Sequence, residues 1–179
     1  MKKIRTNFKG LYFIESKKFL DNRGFFREVF LEKIIKRKLL FGCISKSKKN
    51  VLRGIHIQKK NPQLKVITVV KGKIFDVAID LRPNSKTFKK VFTSILKDNH
   101  GRSLVIPEGF GHGFLSLADE TFVYYLCSKY REKKHEKGII WNDDDIKIKW
   151  PTNKPILSKK DKINSTLKEY IKNYVKVEK

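Results

Sequence analysis

Residues 51–58 read VLRGIHIQ, a run with the apolar content of a β-strand and with an arginine and a histidine set into it. Successive strand side chains point to opposite faces. Leu52, Gly54, His56 and Gln58 are therefore expected on one face, and Val51, Arg53, Ile55 and Ile57 on the other. Neither set is free of polar groups, although a strand packed in a core keeps at least one apolar face. The run reads as a strand in the wall of a polar cavity.

Outward from it the sequence stays β-rich. LKVITVV (64–70) and KIFDVAIDL (73–81) are dense in Val and Ile and meet at KGK, which predicts a hairpin-like turn. In the second run Phe75, Val77, Ile79 and Leu81 share a face opposite Asp76, Ala78 and Asp80. FTSIL, SLVI, GFLSL and FVYYLC continue the series, punctuated by KDNHG, PEG and ADE. Many short strands at this spacing predict a sandwich or barrel. Helical signals are confined to the ends. Leu31, Ile34 and Ile35 mark a short amphipathic segment, while Leu167, Tyr170, Ile171, Tyr174 and Val175 follow helical spacing behind a capping box of Thr166 and Glu169. One domain over 1–179 is expected, with the barrel in about 4–155 and a helical segment in about 158–176.

The length of 179 residues, with 40% hydrophobic and 12% aromatic content, suits a globular chain with a substantial core. No apolar run approaches the roughly 20 residues of a membrane helix, and the opening MKKIRTNFKGLYFIESKK offers only LYFI, too short for a secretory signal. Cys43 and Cys127 form neither a metal-type spacing nor a framework of bridges, which fits a reducing cytoplasm. The charge of +24, from 42 Lys+Arg against 18 Asp+Glu, invites a nucleic-acid reading. Against it, the lysines are scattered in small clusters such as KIIKRK and LSKKDK, and no zinc-finger or RNA-binding signature appears. Small anionic ligands are the partners such a field attracts.

Of the 4 histidines, His100 (in KDNHG) and His135 (in REKKHEKG) read as surface residues, whereas His56 and His112 lie in β-rich segments beside glycines. RGIHIQ followed by IPEGFGH suits an all-β, cupin-type jelly-roll barrel. In a metal cupin the first segment supplies further ligands, but here Gln58 follows His56 and no glutamate stands at the expected distance. Two imidazoles make a poor metal site, so no metal and no cofactor are expected.

FLDNRGFFREVF, NVLRGIHIQKKNPQLKVITVVKGKIFDVAIDLR, IPEGFGHGFLSL, YLCSKYREKKHEKGIIWND and PILSKKD, in this order, resemble the dTDP-4-dehydrorhamnose 3,5-epimerases. These are metal-free cupins acting on nucleotide-linked 4-keto-6-deoxy sugars, and the resemblance runs from about residue 4 to residue 163. It implies a cytoplasmic homodimer, with sites near the subunit interface, that epimerises such a sugar at C3 and also C5 for surface polysaccharide synthesis. Neither specific nucleic-acid binding nor membrane insertion is implied. By the resemblance His56 is the base, Asp161 its orienting partner, Lys65 the donor to the enolate oxygen and Tyr125 the acid on the far face of the ring. Strand alternation agrees in placing Tyr125 with Val123 and Cys127, and Tyr124 with Phe122 and Leu126.

The resemblance further implies that Arg23 and Arg53 hold the diphosphate, with Lys160 assisting. Alternation would place Arg53 on the strand face opposite His56. Phe26 and Glu28 would approach the ligand, from a partner subunit in many family members, and His112 would lie beside the sugar. Ser45, Ser47 and Tyr130 complete the implied substrate-binding set. Two departures stand out: FGCISKS places Phe41 and Cys43 where the family has amides, and Arg131 stands where a second tyrosine is common. They leave open a C3-only epimerase or one acting on a GDP-linked 4-keto-6-deoxyheptose. A non-catalytic nucleotide-sugar or nucleic-acid binder is the alternative of another class.

Overall fold

In the computed structural model, which describes residues 1–175, the two strands joined at KGK do not pair with each other. The expected hairpin is a corner. Gly72, at φ +87°, turns the chain from one sheet into the other. A Cβ there would lie 2.7 Å from the Glu120 carbonyl oxygen, so the crossing needs a glycine.

One sheet runs in the order β1 (Lys2–Arg5), β2 (Tyr12–Glu15), β10 (Arg102–Ile106), β7 (Lys65–Lys71), β12 (Thr121–Cys127) and β5 (Phe41–Ser47). The other runs β13 (Glu136–Gly138), β6 (Leu52–Gln58), β11 (Phe110–Ser116), β8 (Lys73–Asp80) and β9 (Val91–Lys97). A separate exposed hairpin joins β3 (Phe19–Asp21) to β4 (Gly24–Phe26). The two antiparallel sheets face each other as a jelly-roll barrel of the cupin type, as the strand pattern predicts.

Ile67, Val69, Ile74, Ala78, Leu104, Phe110, Phe114 and Val123 fill the space between the sheets. A second apolar layer, of Ile55, Ile57, Val77, Ile79 and Leu81, lies under Ile139, Leu167 and Tyr170 from the C-terminal part of the chain. This sheet is thus buried on both faces. The apolar side of KIFDVAIDL faces the C-terminal segment, and its Asp76 and Asp80 are fully buried as well. Helix α1 (Glu32–Ile35) covers the outside of the other sheet through Ile35, which packs with Tyr12, Ile14 and Val66.

Helix α2 (Leu167–Tyr174) starts at the expected capping box: Glu169 N–H donates to Thr166 Oγ1 at 3.2 Å, and Thr166 N–H donates to Glu169 Oε2 at 2.8 Å. It is shorter than the helical segment expected over about 158–176. Residues 161–163 form a separate 3-10 turn, Val175 is already extended, and residue 176 lies outside the described residues.

The pairing of β6 with β11 resolves the mixed polarity of VLRGIHIQ. His56 opposes His112 and Arg53 opposes Phe114, so three residues on β6 span two on β11. The extra residue forms a bulge at Gly54, whose φ is +118°. Its Cβ would lie 2.6 Å from the Gly113 Cα. One inserted residue reverses the alternation. Arg53 therefore shares the inner face with His56, which corrects the expectation that it leaves on the opposite side. Leu52, Ile55 and Ile57 gather on the outer face, each at most 4% exposed. The apolar face exists, but only once the bulge is included.

Candidate active site

The inner faces of both sheets enclose a cavity of about 350 Å³ whose mouth is bordered by the segment before α2. Arg53 and His56 reach it from β6, and His112 and Phe114 from β11. Ser45 and Cys43 come from β5, Tyr125 and Cys127 from β12, and Lys65 from β7. Ser158, Lys160 and Asp161 close one side. His56 and Tyr125 stand on strands of opposite sheets, so they form opposing walls.

Asp161 is 3% exposed and accepts a 2.5 Å hydrogen bond from His56 Nε2. Burial pushes its carboxyl upward, but the His56 bond and the Ser158 contact outweigh this and hold it below the usual carboxylate range. An ionised Asp161 fixes the imidazole proton on Nε2 and leaves the Nδ1 lone pair free to take a proton. The Tyr125 hydroxyl lies 3.2 Å from Ser45 Oγ, and its ring packs on Phe114 at 6.4 Å between centroids. Burial pushes the phenol well above its ordinary value, only partly offset by Ser45 and the Arg53 charge, so it stays protonated. Tyr124 is not part of the cavity wall, in keeping with strand alternation. Lys65 is pushed below an ordinary lysine mainly by burial; Cys127, Glu136 and Cys43 pull against that shift while Arg131 adds to it.

Sequence reasoning passed over two carboxylates here, Asp76 and Glu136. His112 Nε2 bonds Asp76 Oδ2 at 2.9 Å, with Asp76 fully buried and its Oδ1 without a partner among the described residues. An aspartate in the middle of KIFDVAIDL was the available signal, because a buried carboxylate needs a partner. Glu136 accepts from both Arg131 and Lys160 at 2.8 Å, and those bonds overcome burial to bring its pKa to about 2. Both Glu136 and Arg131 line the cavity.

Other expected site residues stand elsewhere. Ser47 is 3% exposed and does not line the cavity; its Oγ accepts from Arg53 Nε at 3.0 Å, while the Lys46 carbonyl accepts from Arg53 Nη2 at 2.9 Å. Ser47 thus holds a guanidinium instead of touching a ligand. Arg23, Phe26 and Glu28 lie on or just after the exposed β3–β4 hairpin, outside this chain's cavity, with Arg23 paired to Asp21 at 2.7 Å. Tyr130 is 65% exposed beyond the wall, its carbonyl accepting from Gln58 Nε2. His100 is exposed and His135 half-exposed, as expected. Among the described residues no three His, Cys, Asp or Glu side chains are placed to share a metal ion.

Residues 5–169 match the family model described as dTDP-4-dehydrorhamnose 3,5-epimerase. The chain belongs to this family. A curated member from Methanothermobacter thermautotrophicus is 40% identical over 174 residues, covering 93% of this chain and 94% of the relative. A crystal structure of the Bacillus anthracis dTDP-4-dehydrorhamnose 3,5-epimerase with TDP and PPi bound superposes with a TM-score of 0.89 at 39% identity, covering 93% of this chain and 99% of that one. The Legionella pneumophila dTDP-6-deoxy-D-glucose-3,5-epimerase in complex with dTDP-4-keto-L-rhamnose gives 0.89 at 35% identity, covering 93% of each chain.

Proposed function

We propose that this chain is an isomerase that inverts C3 and C5 of a dTDP-linked 4-keto-6-deoxy sugar. The observation that carries this reading is a His56–Asp161 pair on one wall of the cavity with a protonated Tyr125 on the other. The C4 ketone acidifies the neighbouring C–H bonds. His56 Nδ1 takes the proton, and the electron pair moves into an enolate whose oxygen receives a hydrogen bond from Lys65. Tyr125 then gives its proton to the opposite face of the carbon, which inverts the centre. Solvent afterwards removes the proton from His56 and restores the one on Tyr125, so the cycle balances. Positioned proton transfer contributes roughly 10²–10⁴-fold, and a charge-stabilising donor about 2.7–4 kcal/mol. The residues present suffice for these steps, and treatment with a chelator should leave turnover unchanged.

We further propose a single domain over 1–179, working as a cytoplasmic homodimer that supplies deoxysugar for surface polysaccharide. The exposed β3–β4 hairpin, with Phe25 and Phe26 at 58% and 67% exposure, suits an arm that brings Arg23, Phe26 and Glu28 to a partner's cavity. Arg53, Lys160 and His112 would contact the substrate from within the chain, with Ser45 beside Tyr125 and Tyr130 at the rim. No described helix is long and apolar enough to cross a membrane. A narrower or different substrate, by C3-only epimerisation or a GDP-linked heptose, is favoured by one observation: the departures Cys43 and Arg131 both line the cavity. Incubation with dTDP- and GDP-linked 4-keto sugars in deuterated water, counting exchanged positions, decides between them. Exchange at both C3 and C5 of the dTDP sugar is expected. Failure to exchange any sugar proton would reduce the protein to a binder.

A further inference from the structure

Arg131 and Lys160 both donate to one oxygen, Oε2 of Glu136, each at 2.8 Å. A guanidinium carries five N–H donors and an ammonium three, so this shared acceptor occupies one donor of each and leaves six. Both side chains are about half exposed, at 49% and 48%, and both line the cavity. Glu136 is paired to Gln58 on β6 while Gly138 is paired to His56, so the cluster sits two residues along the strand from the base. Arg53 lies on the other side of His56, beyond the Gly54 bulge. The carboxylate holds the two cations together without neutralising them: the three groups carry a net charge of +1.

A neutral sugar has no use for such a pair. The enolate oxygen develops a single charge and already has Lys65. A phosphoryl group offers several oxygens and at least one full charge, and the planar guanidinium fork matches it. We propose that Arg131, together with Lys160, grips a phosphoryl group of the substrate's diphosphate, which makes Arg131 a substrate-binding residue. The inference rests on the nucleotide-sugar reading above, and it narrows that reading to the anion the cavity holds at its Glu136 side. Glu136 is then a positioning residue that presents the two cations.

The test is calorimetric titration of the full chain with inorganic pyrophosphate at two salt concentrations, on wild type, Arg131→Gln, Arg131→Lys and Arg131→Tyr. Wild type should bind in a salt-sensitive way. Arg131→Gln and Arg131→Tyr should each weaken binding at least tenfold, with Arg131→Lys between them because it keeps the charge and loses the fork. Circular dichroism checks that each variant is folded. The proposal is overturned if wild type does not bind pyrophosphate, or if folded Arg131→Gln binds it as tightly as wild type. It is equally overturned if Arg131→Gln lowers kcat alone with binding intact, since the residue would then act on the reacting sugar. Wild-type turnover of the dTDP sugar is measured separately. Turnover without Arg131-dependent pyrophosphate binding sinks this inference only, whereas the reverse sinks the epimerase reading only.

Discussion

Replacing Tyr125 with phenylalanine separates the two halves of the proposed reaction. The ring remains against Phe114, and the change deletes only the hydroxyl that lies 3.2 Å from Ser45 Oγ. A single net hydrogen bond contributes about 0.5–1.5 kcal/mol to stability. A positioned proton donor contributes roughly 10²–10⁴-fold in rate, which at 1.36 kcal/mol per tenfold is about 2.7–5.5 kcal/mol of barrier. Losing one such bond leaves a domain of ordinary stability, about 5–15 kcal/mol, folded, so a loss of epimer on that scale reports the chemical step. Proton abstraction uses His56 with Asp161 and Lys65 and does not involve Tyr125; the His56 side chain is 27% exposed and so can trade its proton with solvent. An enolate made without the far-side donor regains a proton from the His56 side and keeps its original configuration. In deuterated water, followed by NMR of the dTDP-linked 4-keto sugar, Tyr125→Phe should exchange within about tenfold of wild type while forming epimer 10²–10⁴-fold more slowly. Tyr124→Phe, which lies outside the cavity wall, should behave as wild type. Normal epimerisation by Tyr125→Phe, or loss of exchange and epimer in equal measure, would refute the assignment of acid and base to opposite walls.

Ser47→Ala removes the acceptor for Arg53 Nε without touching the cavity wall, so it should raise KM several-fold with kcat nearly unchanged; Ser47→Thr should restore it, and the effect should vanish in an Arg53→Ala background. Burial lowers the Lys65 pKa, so its ammonium is present at low pH and lost as pH rises; a kcat profile should fall with a midpoint below the ordinary lysine value of about 10.4. Glu136 titrates at about 2 in the folded chain against an ordinary value near ~4.3; a depressed pKa contributes stability that is complete above ~4.3 and lost as pH falls toward about 2, and Glu136→Gln should flatten the melting temperature over that window. Leu167→Ala, at a position 3% exposed in the outer apolar layer, should cost about 2–5 kcal/mol by denaturant unfolding while leaving the cavity residues in place.

What depends on short-range chemistry can be read along the chain. Runs of Val and Ile set strands, the Thr166–Glu169 spacing set the start of α2, and alternation in FVYYLC set Tyr125 apart from Tyr124. Ordered motifs placed His56, Lys65, Tyr125 and Asp161 in one family pattern, and the fold gathers all four around one cavity. Tertiary structure decided what depends on partners distant in the chain. His56 and Asp161 meet across 105 residues of sequence, and Ser45 and Tyr125 across 80, separations that no local period encodes. KGK reads as a hairpin locally, yet a glycine at positive φ serves a corner between sheets equally well, and only pairing with β10 and β12 on one side and β9 and β11 on the other settles which. Arg53 shows the same limit most sharply. Alternation counts residues along one strand, but the face a side chain takes depends on register with the neighbour, and the Gly54 bulge against β11 adds one residue to that count. Asp76 was visible as an odd residue in an apolar run, but its partner His112 is supplied by the adjacent strand. Hydrophobic pattern specifies which segments become strands; the closing of the two sheets specifies which polar side chains they enclose, because the interior selects by contact and not by order along the chain.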